Sequence, residues 1–225
     1  MSLQCVPNKQ IVQLTWLTLQ CYTSAATGTD MRSATFAVLA FLLTVLGAAP
    51  MASAQDIVSE LKVGVLAHDV PILGDQREHG ADINAELRFV SPVPDSWLAD
   101  VAPAWRWLLD PRPNIGIDAN TSGYTSQAYF GLTWTAVLWR GVFAPQDHID
   151  FDMGFGPAFN NGHTSAADSH ASLGSNVLFH PSVEVVYWFA PRGNVSIYFE
   201  HSSNAGLASN NAGLDNLGVR LGVAF

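Results

Sequence analysis

From about position 58 onward the chain alternates apolar and polar residues with a period of two. In DINAELRF, Ile83, Ala85, Leu87 and Phe89 share one face, and Asp82, Asn84, Glu86 and Arg88 share the other. HIDFDMGF repeats the pattern: Ile149, Phe151, Met153 and Phe155 stand against His148, Asp150, Asp152 and Gly154. In LGVRLGVAF, Leu217, Val219, Leu221, Val223 and Phe225 oppose Gly218, Arg220, Gly222 and Ala224. Such alternation marks a strand with one apolar face. Similar runs lie near 59–68, 114–121, 125–139, 176–189 and 194–203, which predicts about eight strands. Turn-rich stretches separate them at Pro71–Gly80, Asn160–Gly174, Pro191–Gly193 and Asn204–Gly213. The Pro- and Trp-rich insertion at 92–113 predicts a short helix or an interfacial loop.

Eight alternating strands close into a barrel in one of two ways. A soluble lipocalin-like barrel turns its apolar face inward, whereas a transmembrane barrel turns it outward to lipid and keeps polar residues within. The polar face here carries Asp82, Glu86, Arg88, Asp150, Asp152, Glu184, Glu200 and Arg220, which suits a narrow interior filled by a charge network. Tyr129, Trp134, Trp139, Tyr187, Trp188 and Tyr198 are placed as interfacial aromatic girdles, and Phe225 stands in mid-pattern as bacterial outer-membrane barrels commonly end. The expected fold is all-β, an eight-stranded antiparallel transmembrane β-barrel.

The N-terminal region fits export to such a membrane. From Met31, a basic residue (Arg32), an apolar run over 37–46 and the small-residue site Ala52-Ser53-Ala54 make up a secretory signal peptide, cut between Ala54 and Gln55. The apolar run is shorter than the roughly 20 residues of a spanning helix. Residues 1–30 read as an over-extended N-terminus, 31–54 as the signal peptide and 55–225 as the outer-membrane barrel. Both cysteines, Cys5 and Cys21, precede the cleavage site, so the mature chain has neither a disulfide framework nor a thiolate metal site. Its 171 residues carry eight Lys/Arg and eighteen Asp/Glu, an acidic balance that argues against nucleic-acid binding.

The candidate chemistry lies in FEHSSNAG, residues 199–206. On the strand NVSIYFEHSSN, Val195, Ile197 and Phe199 share the apolar face, and continuing the alternation adds His201 and Ser203. On the last strand the apolar face extends back from Leu217 to Asp215. A serine, a histidine and a carboxylate thus meet on one outer patch. Serine needs a neighbouring base to take its proton, and the base needs a third group to fix its tautomer. Asn204 or Asn211 can hold the oxyanion. Taken alone, a His-x-Ser at a strand end is more often a hydrogen-bonded turn. His163 and His170 read as solvated loop residues, as do His68 and His79 near Asp69, Asp75 and Glu78, and no metal site is expected. Glu200 is expected inside the barrel.

The C-terminal stretch FEHSSNAG…NNAGLDNLGVRLGVAF resembles the lipid A 3-O-deacylase (PagL-type) family of Gram-negative outer membranes. The match covers His201, Ser203, Asn204, Asn211 eight residues after the serine, and the acid position at Asp215. The resemblance implies a general base at His201, a nucleophile at Ser203 and an orienting acid at Asp215, with Asn204 and Asn211 at the oxyanion. It also implies acyl-chain contacts from Ile197, Phe199 and Leu217, no cofactor, a lipid A or lipopolysaccharide substrate, and an integral place in the outer membrane, as a monomer or a homodimer. The family's acid is typically glutamate, so the shorter aspartate requires a closer hairpin. Two rival readings are a non-enzymatic small barrel (adhesin or surface-protection type) and an outer-membrane phospholipase. The second usually needs a larger barrel.

Overall fold

The computed structural model describes residues 57–165 and 169–225. The expected signal peptide and its preceding segment lie outside the described residues. Eight strands run in order: β1 (Val58–Ala67), β2 (Ala81–Phe89), β3 (Arg112–Asn120), β4 (Gln127–Arg140), β5 (His148–Asn160), β6 (Val177–Ala190), β7 (Gly193–Ser202) and β8 (Leu214–Ala224). Each pairs antiparallel with its sequence neighbours, and β1 pairs with β8, closing the barrel. Closure leaves no unpaired strand edge, as a lipid surround requires. The β1–β2, β3–β4, β5–β6 and β7–β8 connections therefore gather at one end, opposite the starts of β1 and β7.

The apolar face points outward. Val65, Ile115, Ile117, Phe130, Phe155, Val185, Ile197 and Val219 are about half exposed, whereas Asn114, Asp118, Glu184, Ser196 and Arg220 at adjacent positions are buried. The interior is an ion-pair network. The Glu184 Oε2 atom accepts from Lys62 Nζ at 2.9 Å, from Arg88 at 2.7 Å and from Arg220 at 2.5 Å. Glu86 takes Arg88 at 2.6 Å and Arg220 at 3.2 Å, and Asp152 takes Arg88. Such charges are tolerable inside only because they are paired and hydrogen-bonded.

The aromatic girdle holds only in part. Tyr129 and Tyr198 are buried inside the barrel, because they sit at inward positions of β4 and β7. Tyr129 lies over Gly116, where a side chain would come within 2.3 Å of its ring, and donates to Glu86 at 3.0 Å. Tyr198 stacks under the Arg220 guanidinium at 3.6 Å. The insertion between β2 and β3 forms two short helices, α1 (Asp95–Leu98) and α2 (Pro103–Leu109). The Trp134 indole on β4 donates to the Leu108 carbonyl at 2.9 Å and ties α2 to the barrel wall.

Candidate active site

His201 lies one residue before the end of β7, and its direct cross-strand partner on β8 is Asp215. Period-two alternation puts both on the outward face, whereas Glu200 and Ser202 beside His201 are buried in the interior. His201 Nδ1 is 2.5 Å from Asp215 Oδ1. The carboxylate can only accept there, so Nδ1 carries the proton and Nε2 is left as the basic nitrogen. In this direct pairing the short aspartate side chain reaches the ring with no further methylene.

Ser203 continues the same face. It exchanges backbone hydrogen bonds with Phe179 at 2.8 and 3.1 Å, in the register set by Ser182 and Glu200. His201 and Ser203 are thus two residues apart on one extended segment, about 6.6 Å at the backbone. Gly213 closes the other side of the imidazole. Its φ is +73°, and an added Cβ would stand 3.1 Å from His201 Cε1. Gly213→Ala combines left-handed backbone strain with pressure on the His201 imidazole. Steady-state kinetics are expected to show kcat lowered roughly tenfold to a hundredfold.

The two asparagines tie the surrounding loops together. Asn204 Nδ2 donates to the carbonyls of Leu173 at 2.7 Å and Asn210 at 2.6 Å, and its Oδ1 accepts from Gly206 N at 2.9 Å. Its own N–H donates to Asn211 Oδ1 at 2.9 Å. Gly174 makes this packing possible, since a Cβ there would meet Asn210 O at 1.9 Å. The Asn204 side-chain donors are therefore engaged in the free chain. Asn211 is exposed, and its side-chain oxygen is fixed by the Asn204 N–H.

Apolar surface flanks the serine on both sides. Phe199 and Leu217 are cross-strand partners one step along the wall from His201 and Asp215, and Ile197 is 62% exposed beyond them. On the other side a groove of about 380 Å3 is lined by Pro157, Val177, Phe179, Leu207 and Ala208, with Asn204 at its edge.

The structure corrects the reading of His68 as a solvated loop residue. His68 is fully buried between Asp82 at 2.8 Å and Glu78 at 3.0 Å. Burial alone would push its pKa down, but hydrogen bonds and charge from Asp82 and Glu78 outweigh that and raise it to about 9. Glu78 is also buried. Burial pushes its carboxyl up, and hydrogen bonds from His68, Thr125 and Ala171 bring it down to about 2. The imidazolium's contribution to stability is complete below its ordinary value of 6.5 and is lost as pH rises through about 9. The carboxylate's contribution is complete above its ordinary 4.5 and is lost as pH falls through about 2. Sequence periodicity had no hold on this cluster, because Glu78 lies in an irregular loop. His163 is exposed; its ring lies 4.5 Å from that of His170, and its carbonyl accepts the Leu173 N–H at 2.8 Å.

Comparison with known proteins places the chain in a family. The model of the lipid A 3-O-deacylase (PagL) family matches residues 96–224, more than half of the chain and all of the candidate site. The chain belongs to the lipid A 3-O-deacylase family. The crystal structure of the outer membrane enzyme PagL is similar in fold, with a TM-score of 0.55 at 15% identity, over 74% of this chain and 100% of that one. No curated protein sequence matches the chain. Family and fold together make this an outer-membrane β-barrel of the lipid A deacylase type.

Proposed function

We propose that this chain is a carboxylic ester hydrolase that removes the 3-O-linked acyl chain of lipid A, using Ser203, His201 and Asp215 on the lipid-facing wall. The observation that carries the reading is the His201–Asp215 pair at 2.5 Å on the outward face, with Ser203 next along that face. Four connections gather at this end of the barrel, which the reading assigns to the outer leaflet. A glycolipid in the outer leaflet then presents its ester beside the wall.

Ser203 Oγ attacks the ester carbonyl while His201 Nε2 takes the hydroxyl proton. Asp215 holds the imidazole in the tautomer that leaves Nε2 basic. The collapsing intermediate expels the sugar hydroxyl, which leaves with the proton from His201. Water, activated by the same nitrogen, cleaves the acyl-serine, and a fatty acid departs. Asn211 offers an amide nitrogen for the oxyanion, and Asn204 fixes the loop that carries it. The acyl chain lies along Ile197, Phe199 and Leu217 or in the groove by Phe179, so lipid and protein share its burial. Serine, histidine and carboxylate complete the reaction without a cofactor. The signal peptide at 31–54 delivers the chain to the outer membrane.

Mass spectrometry of lipid A incubated with the refolded protein in detergent tests the reading. The expected result is loss of one hydroxyacyl chain, with that chain recovered as a fatty acid. An unchanged lipid mass with well-folded barrel would point to the non-enzymatic surface protein instead.

A further inference from the structure

The acid of the proposed triad has a second contact that the catalytic scheme does not use. Asp215 Oδ1 takes His201, and Asp215 Oδ2 accepts the backbone N–H of Leu73 at 2.6 Å. The same loop also reaches β8 at two nearby points. Val70 N donates to the Asp215 carbonyl at 2.7 Å, and Asp69 N donates to Asn216 Oδ1 at 3.0 Å. This loop covers Asp215, which explains why an acid on the outer wall is only 3% exposed.

The loop has little apolar anchorage of its own. Residues 71–77 are all exposed, and Ile72 and Leu73 are 51% and 65% exposed. Polar contacts at its two ends hold it instead. Asp69, at a φ of +51°, accepts the N–H groups of Arg77 at 2.6 Å and Glu78 at 2.8 Å and closes the loop on itself. Glu78 then fastens it to three other elements. One oxygen meets His68 at 3.0 Å and Thr125 N at 3.0 Å; the other meets Thr125 Oγ1 at 3.1 Å and Ala171 N at 3.0 Å. His68, which directly follows β1, is in turn held by Asp82 of β2.

We propose that Glu78 and the 69–78 loop are a positioning device for Asp215, with the buried Glu78 clasp keeping the Leu73 N–H on the acid's second oxygen. The carboxylate is thereby fixed at both oxygens and cannot rotate away from Nδ1. Glu78 acts through the loop and touches neither substrate nor imidazole, so it is a positioning residue. The clasp also ties the loop to the β3–β4 turn and the β5–β6 connection, so these move with the site as one unit. This inference rests on the esterase reading of the same site.

The decisive comparison is Leu73→Pro with Leu73→Ala in the full refolded barrel, with kcat and KM measured on lipid A in detergent micelles. Proline removes the N–H and alanine keeps it, so the loss should follow the N–H and not the side chain. Leu73→Pro is expected to lower kcat about tenfold, the scale of one hydrogen bond to a charged group, with KM little changed. Glu78→Gln should give the same split. In an Asp215→Ala background neither change should lower the rate further, because the residue they act through is gone. Equal kcat for Leu73→Pro and Leu73→Ala, or an undiminished loss on top of Asp215→Ala, would overturn the proposal. If Glu78→Gln fails to fold, the Leu73 pair decides alone. An unchanged lipid A mass with the folded unsubstituted barrel would instead overturn the esterase reading, so the two failures are distinguishable.

Discussion

Ser203→Ala is expected to abolish lipid A deacylation, with a loss of at least about a thousandfold in kcat/KM. The barrel should be untouched, because Ser203 is held through its backbone N–H and carbonyl to Phe179, which alanine keeps. Removing His201 should cost as much, since a serine without a base is a poor nucleophile. The double variant should lose little more than either single one, because the two groups act as a unit. The measurement is release of hydroxy fatty acid from lipid A by each purified, folded variant. Substantial activity in Ser203→Ala would move the nucleophile elsewhere, and additive losses would separate His201 from the serine.

A second large effect is expected far from the site. Glu184 is buried on β6, and one of its oxygens receives Lys62, Arg88 and Arg220 together. Its other oxygen takes Arg220 Nε at 2.9 Å and the Ser196 hydroxyl. Replacing it by leucine leaves three cations facing Glu60, Glu86 and Asp152 in a closed interior. Breaking a buried ion pair from one side typically costs about 3–5 kcal/mol, because the partner stays desolvated. Glu184→Leu should therefore lower the urea midpoint of the detergent-folded barrel by a corresponding amount. The neighbouring Val185→Ala, on a residue that is 47% exposed to the lipid side, should shift it far less. Equal stability of the two variants would show that the interior network is not what holds the barrel.

The difference between these two positions was legible in the sequence, since adjacent residues of a strand face opposite sides. Alternation alone placed Glu184 inside and His201 outside, and it carried the match from His201 to Asp215 across the hairpin. It went astray only where residue type was weighed over parity. Tyr129 and Tyr198 look like girdle residues, but their positions in β4 and β7 are inward, and Gly116 opposite Tyr129 was the sign. The loops carried no such periodicity. His68 and Glu78 are ten residues apart in sequence and appear solvated until the closure of β1 on β2 brings them together. The Leu73 contact with Asp215 was beyond reach for a further reason. It is made by a backbone N–H, which every residue but proline supplies, so no side chain announces it.

The filled interior has an electrical consequence. Lys62, Arg88, Arg220 and their carboxylates are packed at a few per cent exposure or less, so side chains occupy the interior at this level of the barrel. An interior filled in this way suits a closed wall and not an open pore. A cell can therefore accumulate many copies, and work on its own surface lipid with them, while the permeability of its outer barrier to ions and small solutes stays where it was.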